Sequence, residues 1–162
     1  MLAALTACGE KAAPPPPSAA QTLAAVRDAK SLPPETYVSP TAGFDLHLPG
    51  IWTGKYVASE KNDTTAGAHL AVEFKFKPDS GSAAPSHLLM TIRLFTKAAW
   101  DKVSARPGAP VGVKLAESGK TVFVLSLPEA NPYPATSPEA PRYDQLIISI
   151  AQGGQQVHLA PR

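Results

Sequence analysis

The chain has 162 residues, enough for one domain of ordinary size, and a 44% hydrophobic share that can build a core. Its 15 basic and 13 acidic residues leave a net charge of +2 without long runs, which argues against a nucleic-acid partner because phosphate neutralisation needs clustered Lys and Arg. A single cysteine excludes an internal disulfide and cysteine-based zinc sites.

Taken in order, the chain opens with Leu5-Thr6-Ala7-Cys8, an aliphatic residue and two small ones before the sole cysteine. The stretch resembles the cleavage box of bacterial lipoproteins, in which that cysteine is lipidated and becomes the first residue. Residues 1–7 are then a signal-peptide remnant. They carry no Lys or Arg, and a secretory signal needs a basic segment and about 7–15 apolar residues, so more leader is expected upstream. The resemblance implies acylation of Cys8, labelling by palmitate and a place in the cell envelope. With Gly9 rather than Asp after it, a Gram-negative host is expected to sort the protein to the periplasmic side of the outer membrane.

Residues 8–36 read as a Pro/Ala-rich tether. Pro14 to Pro17 favour an extended polyproline spacer, and Ala19 to Lys30 offers too little apolar surface to hold a helix alone. The globular domain is expected over 37–162. Phe44, Leu46 and Leu48 alternate with Asp45 and His47, a strand pattern, with Trp52 plugging the edge of the core. Lys55 to Ser59 reads as a strand and Lys61 to Gly67 as a loop. His69 to Lys77 places Leu70, Val72, Phe74 and Phe76 on one face and polar residues on the other, as in an antiparallel sheet. Leu88 to Phe95 is a more central strand.

Thr96 is the expected N-cap of a short helix through Val103. Val111 to Ala116 and Thr121 to Leu127 predict a hairpin around Glu117-Ser118-Gly119-Lys120. After a Pro-rich loop, the spacing of Tyr143, Leu146, Ile147, Ile150 and Ala151 predicts a helix stopped by Gly153-Gly154. The β-branched Ile147, Ile148 and Ile150 would also suit a strand. Gln156 to Leu159 reads as a last short strand. The sum is an α+β domain, an antiparallel sheet packed with short helices.

Chemistry is sparse. His47, His69, His87 and His158 lack helical zinc spacing, and no HExxH or GxSxG element is present. Asp101, Glu117, Glu129, Glu139 and Asp144 fall in segments that read as exposed, so paired-carboxylate chemistry is not expected. No metal and no cofactor are expected. Tyr133, between Pro132 and Pro134, is a rigid aromatic offered as a partner contact.

The run Gly43-Phe44-x-Leu46-x-Leu48-Pro49-x-x-Trp52 resembles the opening strand of PsbP/Mog1-like domains. That resemblance implies an α+β sandwich and a non-enzymatic assembly or binding role. The expectation is therefore a membrane-anchored envelope lipoprotein that is not an enzyme and binds an envelope protein or a cell-wall component. The alternative is a hydrolase or small-ligand binder using the polar face of His47, His69 and Glu73.

Overall fold

A computed structural model describes residues 32–79, 82–107, 111–151 and 158–162. Cys8, most of the 8–36 tether and the Gly153-Gly154 stop lie outside the described residues. The described chain is α+β, with eight strands in two antiparallel sheets and two helices. A three-stranded sheet runs in the order β1 (Glu35–Val38), β2 (Phe44–Leu48), β8 (His158–Pro161). The five-stranded sheet is ordered β3 (Tyr56–Asn62), β4 (Leu70–Phe76), β5 (Leu88–Thr96), β7 (Thr121–Ser126), β6 (Val113–Ser118). Strand β1 begins at Glu35, inside the stretch read as tether.

Alternation decides how the sheets meet. Phe44, Leu46 and Leu48 are fully buried and face Val72, Phe74, Phe76, Met90, Ile92, Leu94 and Phe123 across a common core. The Phe44 and Phe123 rings meet edge to face, their centres 5.6 Å apart. Burying each such side chain contributes about 1.5–3 kcal/mol, so this layer is the main source of stability. Helix α2 (Glu139–Ala151) closes the same core with Tyr143, Leu146 and Ile150. Helix α1 (Lys97–Ser104) covers part of the opposite face of the large sheet, where Phe95, Val122, Val124 and Val103 cluster and Trp100 packs on Phe95.

The local signals explain the element ends. The Thr96 side chain accepts a bond from the Ala99 N–H at 3.2 Å, capping α1. Gly119 adopts φ +57° between β6 and β7, the left-handed conformation that glycine enters at little cost in a two-residue hairpin turn. Trp52 is fully buried and donates to Ser149 Oγ at 3.0 Å, so it joins the first buried strand to α2 instead of plugging an edge.

Several strand bounds shift: β6 starts at Val113 instead of Val111 and takes in Glu117 and Ser118, which pair with Val122 and Thr121 and leave Gly119-Lys120 as the turn. The strand read as Lys55 to Ser59 runs on to Asn62, because Glu60, Lys61 and Asn62 stay in register with Val72, Ala71 and Leu70. Backbone pairing to β4 holds this edge strand where its own side chains lack an apolar pattern. The described part of the last strand runs from His158 to Pro161, past the expected end at Leu159, while Gln156 and Val157 lie outside the described residues.

Candidate functional site

The turn between β1 and β2 is built around one carboxylate. Glu60 lies on the same face of β3 as Tyr56 and Ala58, directed toward the small sheet. Its Oε1 accepts from the Ser39 hydroxyl and from Tyr37 Oη at 3.1 Å, and its Oε2 accepts from the Thr41 N–H at 3.1 Å. Ser39 is fully buried, and its Oγ also accepts from the Ala42 N–H at 2.8 Å. Burial raises the Glu60 carboxyl, but the bonds from Ser39, Thr41 and Tyr37 outweigh it and hold the group below its ordinary 4.5. The Tyr37 phenol is pushed far above its usual range, first by burial and then by the Glu60 charge.

Arg162 fastens the other side of the turn. Its N–H donates to Gly43 O at 2.8 Å and its guanidinium to Ser39 O at 2.6 Å. Arg162 Nε also lies 3.1 Å from Asp45 Oδ1, an ion pair whose angle falls short of a hydrogen bond. Gly43, at φ +67°, supplies the left-handed residue that reverses the chain.

These fixed segments wall a cleft of about 400 Å³ at the open end of the sandwich. Leu70, Leu94 and Phe123 give it an apolar floor, while Thr41, Asn62, His69, Ser118, Thr121 and Arg162 supply hydroxyl, amide, imidazole and guanidinium groups. An open cleft of this size that mixes polar and apolar groups has room for a small molecule or a chain end.

The residues of the alternative reading are not brought together. His47 lies on β2 in the small sheet, opposite Thr36 and His158. Glu73 lies on the large sheet, on the face away from the shared core, held by Lys61 at 2.5 Å and Lys75 at 3.4 Å. The Lys61 bond first, and then the charges of both lysines, lower its pKa against the effect of burial. His69 alone of the three lines the cleft.

Tyr133 is a correction. It is 7% exposed, donates from its phenol to Pro85 O at 2.5 Å, and packs against Phe76, His87 and Tyr143. A prolyl-flanked aromatic looked free in the sequence, but the ring fills the gap between the Pro-rich loop and the core and leaves little surface for a partner. Burial raises its phenol, and the neighbouring Tyr143 is pushed up to about 12, mainly by burial.

Of the acids read as exposed, Asp144 is half-buried and Glu139 is buried, at 3%. Arg142 binds it at 2.6 Å and reaches Asp79 at 2.6 Å, so the carboxylate pins the start of α2 to the loop after β4. Among the described residues, no three His, Cys, Asp or Glu are grouped closely enough to hold a metal ion together. Sequence reasoning missed Glu60. The one available signal was its place two residues beyond Ala58 in an alternating strand.

Comparison with protein-family models, with curated proteins and with solved structures finds no match. The likeness of Gly43 to Trp52 to PsbP/Mog1-like openings rests on those residues alone.

Proposed function

We propose that this protein is a bacterial envelope lipoprotein, anchored through an acylated Cys8, whose α+β domain is a non-enzymatic binding or assembly module. The cleft at the end of the sandwich takes the polar end of an envelope protein or a cell-wall component. The observation that carries this reading is the use made of the acids around the cleft. Glu60 is saturated by Ser39, Tyr37 and Thr41, and Asp45 is paired with Arg162. Both carboxylates shape the walls, while hydroxyl, amide and imidazole groups face the opening. The placement of His47 and Glu73 on different sheets also disfavours the hydrolytic alternative.

The test is site-specific photo-crosslinking in cells carrying the full-length protein. A photoreactive residue at Asn62, on the rim of the cleft, is expected to give one discrete adduct. The same residue at Val57, exposed on the far face of β3, is expected to give none. Equal adducts at both positions, or none at Asn62, would overturn the assignment of the cleft.

A further inference from the structure

His47 and His158 are direct partners across the antiparallel strands β2 and β8, on the face of the small sheet turned away from the core. Their ring centres are 5.9 Å apart. Directly opposed residues in such a ladder bring their Cβ atoms to about 4.5–5.5 Å, close enough for side chains to share a ligand. With metal–imidazole bonds of about 2.0–2.1 Å an ion sits about 3.2 Å from each ring centre, so two rings can share it up to about 6.4 Å. The pair is inside that limit.

The third residue of the row sharpens the reading. Thr36 lies opposite His47 on its other side, and its Oγ1 is 3.0 Å from His47 Nδ1. The contact holds the ring in orientation, and in the tautomer in which Nδ1 donates to that hydroxyl, Nε2 keeps its lone pair for a metal. Metal-binding histidines characteristically anchor their second nitrogen this way. His158 is exposed on β8, an edge strand of the small sheet. Among the described residues, Asp45 on the same strand as His47 is paired with Arg162.

We infer that His47 and His158 form a binding site for one divalent transition-metal ion, with Thr36 as positioning residue and water completing the coordination. Two imidazoles favour the borderline ions, Cu²⁺ above Ni²⁺ and Zn²⁺ in the usual affinity order. Neither His47, His158 nor Thr36 lines the cleft, so the site stands apart from the proposed binding role. A bound ion would also clamp β8 onto β2.

The probe is Cu²⁺ alone, titrated into the full chain carrying Cys8→Ser so that the thiol does not compete. Calorimetry gives stoichiometry and affinity, and electron paramagnetic resonance counts the imidazole nitrogens. One tight equivalent with two imidazoles is expected. His47→Asn or His158→Asn should weaken it at least about tenfold and leave one imidazole, and Thr36→Val should weaken it about tenfold with both retained. His69→Asn should change nothing. The inference is overturned if the unsubstituted pair shows fewer than two imidazoles, if affinity survives loss of either histidine, or if His69→Asn weakens it equally. Should a histidine variant fail to fold, the nitrogen count and Thr36→Val still decide.

Discussion

Replacing Glu60 with alanine removes the acceptor for three donors at once. Hydrogen bonds to a charged group contribute about 1.5–3 kcal/mol each, and a buried donor left unsatisfied costs about 1–3 kcal/mol. Only Ser39 is fully buried, whereas Thr41 is exposed and Tyr37 partly so, and those two regain water. The expected loss is therefore about 2–3 kcal/mol, most of it from Ser39. Glu60→Gln keeps an acceptor oxygen and should lose only about 1 kcal/mol. Urea unfolding read by the fluorescence of the buried Trp52 measures both. The pH dependence supplies a second check. The folded carboxyl lies below its ordinary 4.5, so its ionised form stabilises the fold fully above that value. This contribution is lost as pH falls through the lower folded value. The gap between the natural chain and Glu60→Gln should hold from pH 7 to about pH 5 and close in stronger acid. A loss below about 0.5 kcal/mol for Glu60→Ala, or a gap for Glu60→Gln unchanged at pH 2, would refute the reasoning.

Further outcomes follow from the same contacts. Trp52→Phe breaks the bond to Ser149 and opens a void in the core, and should destabilise the fold by about 2 kcal/mol in urea unfolding followed by circular dichroism. Arg142→Ala leaves the Glu139 carboxylate buried with only the Asp79 N–H at 3.4 Å. It should cost about 2–3 kcal/mol, at or below the usual figure for a buried pair because Arg142 is partly exposed. A Cβ on Gly50 would stand 2.3 Å from Pro33 O and 2.6 Å from Leu32 Cβ. Gly50→Ala should therefore displace the entry to β1 and speed proteolytic cleavage near Pro33 while leaving the core folded.

Much of the fold was legible because its strands bury alternate residues. Phe44, Leu46 and Leu48, and then Leu70 to Phe76, declared both their period and their buried face. Thr96 and Gly119 marked a cap and a turn by their own chemistry. Tyr143 to Ala151 carried two signals, and the helix prevailed because Tyr143, Leu146 and Ile150 must all face one core. The cleft was hidden because its walls come from six separate segments, and no local pattern records that they meet. Glu60 was missed because its partners Ser39 and Tyr37 lie about twenty residues earlier. Tyr133 was misjudged because flanking prolines fix a backbone without saying which way a ring turns.

The anchor is the centre of the functional account, and Cys8 is the residue on which it turns. Cells expressing the natural chain and Cys8→Ser are labelled with palmitate and separated into membrane and soluble fractions. Acyl chains contribute about 0.8 kcal/mol for each buried CH₂, and stable anchoring takes more than one chain. The natural chain should be labelled and found in the membrane fraction, whereas Cys8→Ser should be unlabelled and soluble. A chain that is unlabelled in both forms, or that stays with the membrane after the substitution, would contradict the account.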